Sequence, residues 1–287
     1  MAESDQSVIW IKNPLDVFAE NCGGGVVIQG QKIVELVQMG QSPKATIDET
    51  YDASKSVLLP GLINTHHHFY QTLTRAYPEA LNKELFPWLK SLYKVWANIQ
   101  PEMIAVSTEL ALSELLLSGC TTASDHHYLF PDQLENAIDI QVEEANKIGM
   151  RVVLTRGSMS LGEKDGGLPP QSVVQTRGQI LSDSERLIKA YHDESEGSMT
   201  QIALAPCSPF SVTTDLMIET AELAEQQNVR LHTHLAETID EENFCLERFG
   251  LRTVDYLESV GWLSSRTWLA HGIHFNQEEI KKLGENN

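Results

Sequence analysis

Histidines recur in this chain where short apolar runs end, a placement that suits metal-assisted hydrolysis. Leu59-Pro-Gly-Leu-Ile-Asn-Thr65 runs directly into His66-His67-His68. If residues 58–65 form a strand, His66 and His68 point to the same side at its C-terminal end. A second pair closes Val229-Arg-Leu-His-Thr-His234, with Glu237 three residues on, and His271 ends Thr267-Trp-Leu-Ala-His271. Neutral imidazoles and a carboxylate are zinc ligands, and a catalytic zinc keeps one position for water. Metal-bound water ionises near neutral pH and becomes a nucleophile. A carboxylate beside it, here Glu237, takes the proton and hands it to a ring nitrogen or a leaving amine. Taken singly, each histidine reads more plainly as a satisfied structural residue, and 66–68 as a solvated loop. Their joint occurrence at three strand ends carries the metal reading.

The elements that must position these residues are legible as alternating runs. Residues 1–57 look like a small β-rich domain: Val8–Lys12 is a short apolar run, and 23–30 and 32–37 read as strands around the turn Gln29-Gly-Gln31. Gly23-Gly-Gly25 matches neither a dinucleotide nor a P-loop fingerprint and reads as a turn. From residue 58 to 287, strands expected at 58–65, 120–125, 151–155, 201–206, 229–234 and 267–271 alternate with helices at 85–99, 103–117, 134–148, 182–191, 213–227, 253–260 and 276–283. Ser182 or Asp183 is the expected cap of its helix. The Gly- and Pro-rich stretch 158–178 reads as a flexible cover for a pocket.

Strand–helix alternation predicts a parallel α/β architecture, and polar strand ends predict a (β/α)8 TIM-type barrel with its site on that face. About six units are visible, so about two more are needed to close it. The H-E-x-x-H helix, the G-x-S-x-G elbow and the H-x-E/P-C-x-x-C deaminase pattern are all absent.

Composition narrows the class further. With 21 basic against 40 acidic residues, the net charge of −19 argues against nucleic acid or an anionic membrane as partner. No apolar run is long enough for a membrane span, and Met-Ala-Glu-Ser-Asp lacks the character of a signal peptide. Cys22, Cys120, Cys207 and Cys245 are scattered, which predicts reduced thiols and a cytoplasmic protein. A small-molecule substrate is the partner expected, and homo-oligomerisation stays open.

Leu59-Pro-Gly-Leu-Ile-Asn-Thr-His-His-His68, Gly119-Cys-Thr-Thr122, His232-Thr-His-Leu-Ala-Glu237 and Leu269-Ala-His-Gly272 together resemble the amidohydrolase superfamily. The likeness is nearest to its cytosine, guanine and adenosylhomocysteine deaminase branch, and runs from the N-terminal strands to the last residue. Within it, 66–75, Asp125-His-His-Tyr128 and Ala205-Pro-Cys-Ser-Pro-Phe-Ser-Val212 are similar to the bacterial deaminases of 8-oxoguanine. The resemblance implies hydrolysis of an amino-heterocycle, 8-oxoguanine to urate plus ammonia first. Isoxanthopterin, hydroxylated triazines, and adenosylhomocysteine or methylthioadenosine are the alternatives. It implies one metal ion per subunit, Zn2+ with Fe2+ as the alternative, on His66, His68 and His234. His271 would orient the metal-bound hydroxide and Glu237 would shuttle protons.

The family's remaining ligand is an aspartate at the end of strand eight, which has no counterpart here; neither Asp125 nor Asp240 stands at the matching place. The chain is therefore expected to be a fragment or a non-catalytic remnant that folds poorly and lacks turnover. For the substrate wall, Gln71 offers an amide that can donate to and accept from a purine edge, against a helix-cap role. Trp88 offers a stacking face, against a core role. His126 and Tyr128 are further candidates, Cys207 reads as core, and His192 and His274 as structural or surface residues.

Overall fold

The computed structural model describes residues 7–286. The chain divides into two compact units, Met1–Leu62 and Ile63–Asn287. The first contains β1 (Val8–Lys12), β2 (Asp16–Val17), β3 (Gly25–Gln29), β4 (Lys32–Val37), β5 (Glu49–Asp52) and β6 (Val57–Leu58). Four of these form a sheet in the order β4-β3-β1-β5, and β2 pairs with β6. β3 and β4 are antiparallel around the expected turn, whereas β1 and β5 run parallel. Trp10, Val27 and Val37 form its small buried cluster.

The second unit begins with β7 (Leu62–Asn64), α1 (Leu85–Trp96), α2 (Pro101–Leu117), β8 (Cys120–His127), α3 (Ala137–Ile148) and β9 (Arg151–Ser158). It continues with α4 (Arg177–Tyr191), β10 (Thr200–Pro206), α5 (Thr214–Gln226), β11 (Leu231–Leu235), α6 (Ile239–Phe249), α7 (Thr253–Ser259), β12 (Thr267–His271) and α8 (Gln277–Glu285). Its six-stranded sheet has the order β12-β11-β10-β9-β8-β7, and the β8–β9, β9–β10, β10–β11 and β11–β12 pairs are parallel. This curled parallel half-barrel is the architecture of a TIM-type α/β fold. Curling brings its edges together: Trp268 on β12 donates its indole N–H to the carbonyl of Thr65, just past β7 (3.1 Å).

The helices form where apolar spacing demands. On α2 the buried residues are Ile104, Ser107, Thr108, Ala111 and Leu112, one stripe of a 3.6-residue helix. Truncating a fully buried residue such as Leu112 to alanine costs about 2–5 kcal/mol. Proline at the first position starts α2 where no backbone donor is needed.

Four sequence expectations need correction. β7 is only three residues long, and the histidines lie beyond it, leading into a 3-10 turn at Phe69–Thr74. β8 and β9 each run further than expected, to His127 and Ser158. α4 starts at Arg177 under a Thr176–Gln179 capping box, not at Ser182 or Asp183. Asp183 is instead occupied by buried Arg156, whose Nε donates to it at 2.7 Å. The 158–178 stretch is not a loose cover. Ser160 and Leu161 donate backbone N–H groups to Ser211, Leu168 donates to Phe210, and two 3-10 turns order the rest.

α6 escaped the sequence reading altogether. Its start carries the Thr238-x-x-Glu241 spacing of a capping box and its end is Gly250 in a left-handed conformation (φ 70°). Both signals were present, but the segment is mostly polar and lacks a strong apolar stripe.

Candidate metal centre

Alternation along the strands decides which side chains meet. On β11, His232 and His234 share a face and Thr233 takes the other. On β8, His126 joins them, whereas Asp125 and His127 point the opposite way. Asp125 accepts from Phe69 N–H and from the Gln141 amide, both at 2.6 Å, and so pins the backbone just after His68. Gly157 allows β9 to approach this end of β8 closely: a Cβ there would lie 2.2 Å from the carbonyl oxygen of His127.

Hydrogen bonds on the outer side of each ring fix the tautomers. His68 Nδ1 lies 2.7 Å from the carbonyl of His126, and His234 Nδ1 lies 2.6 Å from that of Cys207. A carbonyl accepts only, so each Nδ1 carries the proton and each Nε2 a lone pair. Those two Nε2 atoms are 3.1 Å apart. His66 is set by a longer chain: His232 Nδ1 donates to Trp268 C=O (2.8 Å), which leaves His232 Nε2 to accept from His66 Nδ1 (2.7 Å). His66 Nε2 is thereby also left with a lone pair.

The facing Nε2 lone pairs of His68 and His234, with the His66 ring edge-on to both (centroids 4.7 and 4.9 Å away), make an arrangement that repels itself until a cation enters. His66, His126 and His234 have ligand atoms within 4.8 Å of one another, the metal-capable group among the described residues. His126 donates Nε2–H to Ala205 C=O (3.0 Å), and its Nδ1 is buried without a partner. The donor set, neutral imidazoles with a carboxylate nearby, suits a borderline divalent cation. Burial is the main force holding these imidazoles neutral, with mutual repulsion second for His66 and His234. His66 is held down to about 2 and His68 to about 3, and His126 and His234 lie well below the ordinary value.

Beside them, Glu237 Oε2 lies 3.5 Å from His271 Nε2. Burial pushes the Glu237 carboxyl up to about 7. Glu237 follows a strained residue, and His271 is one itself. Apart from asparagines, which tolerate left-handed geometry, the non-glycine residues with positive φ among those described are Ala236 (53°) and His271 (76°). Such a conformation costs about 1–2 kcal/mol for an ordinary L-residue. Strain of this kind collects where a site must aim a side chain.

A cavity of about 220 Å3 opens against His66, His68, His234, Glu237 and His271, walled by Gln71, Trp88 and Tyr128. An adjoining lobe of about 380 Å3 shares His66, His68, Gln71 and Trp88. Trp88 meets Trp96 edge-on (centroids 5.4 Å apart) and still faces both lobes. Cys207 also reaches the cavity wall although it is fully buried. His126 belongs to the imidazole cluster, stacked on His234 (centroids 4.4 Å apart), but is not part of that wall, and no residue of 158–178 reaches it.

Missed by the sequence reading were His232, as a partner of His66, and Glu241. Glu241 is completely buried and accepts from the backbone N–H groups of Ala236 (3.0 Å) and Glu237 (2.9 Å). The Thr238-x-x-Glu241 spacing was the available signal for Glu241. For His232, the signal was its position two residues before His234 on one strand.

The chain is similar to several known proteins. The chain is 63% identical over 279 residues to an 8-oxoguanine deaminase of Pseudomonas aeruginosa, covering 96% of this chain and 62% of that protein. It is 36% identical to a hydroxydechloroatrazine ethylaminohydrolase of Pseudomonas sp. strain ADP, covering 78% and 47%. It superposes with TM-score 0.90, at 30% identity, on an atrazine chlorohydrolase of Arthrobacter aurescens TC1 complexed with zinc, covering 97% of this chain and 64% of that one. The chain thus spans less than two thirds of the length of each of these relatives. No helix among the described residues is long and apolar enough to cross a membrane. The amidohydrolase family model matches residues 57–287, and the chain belongs to the amidohydrolase family.

Proposed function

We propose that the protein is a metal-dependent aminohydrolase of amino-heterocycles, acting on 8-oxoguanine to give urate and ammonia. The observation that carries it is the pair of facing, unprotonated Nε2 atoms of His68 and His234 in a cavity shared with His66, Glu237 and His271. The substrate follows from the similarity to the Pseudomonas aeruginosa 8-oxoguanine deaminase. In this reading His66, His68 and His234 hold one cation, zinc in preference to Fe2+ because the superposable atrazine chlorohydrolase is complexed with zinc. A bound divalent cation supplies Lewis acidity toward water and the heterocycle.

The chain's own residues then do the proton work. Glu237 takes one proton from the attacking water and delivers it to the ring nitrogen, then carries the proton of the added hydroxyl to the departing amine. Its near-neutral pKa suits both halves of that task. His271 aligns the water through Nε2. Trp88 stacks on the flat ring while the Gln71 amide reads its edge. Tyr128 completes the wall. His126 acts from behind it, holding the cluster's shape. Water adds at the carbon bearing the exocyclic amine, and the bond to that nitrogen breaks as ammonia leaves: 8-oxoguanine plus water gives urate plus ammonia. Four buried free thiols suit a reducing compartment, which makes the cytoplasm the proposed location.

Ammonia release from 8-oxoguanine, guanine, isoxanthopterin and a hydroxylated triazine tests the proposal. The highest kcat/KM is expected on 8-oxoguanine. Faster turnover of another heterocycle moves the substrate and keeps the chemistry, which the similarity to an isoxanthopterin deaminase (32% identity) makes the second reading. No ammonia from any of them, in protein shown to contain metal, overturns the activity and favours the other expectation from the sequence, a remnant without turnover.

A further inference from the structure

We propose that Glu241, on the first turn of α6, is the positioning residue that presents Glu237 to His271. The inference rests on reading Glu237 as the proton carrier. β11 ends at Leu235, so the backbone must turn sharply to bring Glu237 over the strand end. Ala236 makes that turn in left-handed geometry (φ 53°), which alanine does not favour by itself. One carboxylate holds it there: Oε1 of Glu241 accepts from Ala236 N–H and Oε2 from Glu237 N–H. When Glu241 is ionised these bonds are charge-assisted, about twice as strong as neutral ones.

The same turn is gripped from the other strand. His274 N–H donates to Ala236 C=O and Gly272 N–H to Leu235 C=O, both at 3.0 Å. The loop carrying His271 is thus tied to the backbone that Glu241 fixes, and the 3.5 Å separation of Glu237 and His271 follows from the two grips together.

A plain helix cap does not account for Glu241. In a capping box its side chain would turn back to the N–H of Thr238. Here Thr238 Oγ1 does accept from Glu241 N–H, at 3.4 Å, yet the Glu241 carboxylate reaches past Thr238 to the two preceding residues. It is also 0% exposed, and no ion pair to a cation is formed by it among the described residues. Burying a carboxylate this way is costly unless its oxygens are well used.

The test uses the full, metal-loaded chain with Glu241→Gln, nearly isosteric, whose amide can accept from only one of the two N–H groups. Metal content should stay at the wild-type level and KM within about threefold, while kcat falls about 100-fold, the scale of a small misplacement. In a Glu237→Gln background the same change should add almost no further loss, because Glu241 acts through Glu237. Hydrogen exchange reads the clamp without substrate: the amides of Ala236 and Glu237 should lose protection while those of Leu231–Leu235 keep theirs. Retained protection at 236 and 237 overturns the proposal whether or not the protein turns over 8-oxoguanine. So does unchanged kcat in an active enzyme, or a loss that adds in full to that of Glu237→Gln. Absent turnover in the wild type, with exchange behaving as expected, sinks the proposed function and leaves the clamp standing.

Discussion

Nε2 of His68 faces Nε2 of His234 at 3.1 Å, and the bonds on the far side of each ring leave neither atom a proton. Two lone pairs at this distance need a cation between or beside them. His68→Ala or His234→Ala should therefore reduce bound metal, measured by elemental analysis after gel filtration, to a small fraction of wild type. Chelation should also lower the melting temperature, by an amount that grows with the free metal concentration used as reference: about 2.7 kcal/mol of stabilisation is expected at 100 times Kd. Full metal retention in both variants would dismiss the ligand assignment.

Glu237→Gln separates holding the metal from using it. Glutamine keeps the shape of the side chain but cannot accept the proton. Metal content should be unchanged and deamination should fall by about 10²–10⁴-fold. A variant that still turns over at a tenth of the wild-type rate rules Glu237 out as the proton carrier.

Much of this site was legible in the sequence because strand ends are where a parallel α/β sheet displays its side chains. His66, His68, His234 and His271 were readable from the apolar runs before them. The outer partners were not. That His232 serves His66, 166 positions away, depends on how far the sheet curls. His126 and His127 are neighbours in sequence, yet one joins the cluster and the other does not, because β8 runs on through both and alternates. α4 begins just after Thr176 because its box with Gln179 satisfies the first turn, while Asp183 is drawn off by Arg156, a charge whose burial no local pattern announces.

His232→Ala removes the link between Trp268 C=O and His66 Nδ1 without touching a proposed ligand. His66 would lose the acceptor that fixes its tautomer and ring angle. Metal affinity should weaken about 10–100-fold, as for other outer partners of metal-bound histidines. Competition against a chelator of known affinity measures it, and an unchanged Kd would remove His232 from the site.

Acid should unfold the metal-free protein early. His66, His68, His126, His127, His232 and His234 are all depressed by burial, His127 and His232 to about 4. Unfolded, each takes up a proton below about pH 6.5 that the native state refuses, so stability falls as pH drops through that range. Asp125, Glu237 and Glu241 act oppositely. Burial lifts each to about 7, so their contribution is full at low pH and is lost as pH rises toward 7. The histidines outnumber them, and the net slope follows the histidines. Urea midpoints with chelator should be lower at about pH 5.5 than at about pH 6.5, the interval in which the histidines outweigh the carboxyls. A midpoint that rises on acidification contradicts this balance of buried groups.

The six strands of the larger unit lie side by side in the order in which they occur along the chain. Each new strand leaving a ribosome therefore finds its neighbour already made, and the sheet can grow by addition at one edge without waiting for distant chain. The imidazole cluster proposed to bind metal is the exception to that local growth. Its first histidines are synthesised with β7, but Thr65 meets Trp268, 203 residues later, only when β12 arrives. Loop-closure entropy of that length delays the event relative to each local pairing. Pulse-labelled intermediates should thus acquire a protected sheet before they acquire a high-affinity cation site, which makes metal capture a late clock for completed assembly.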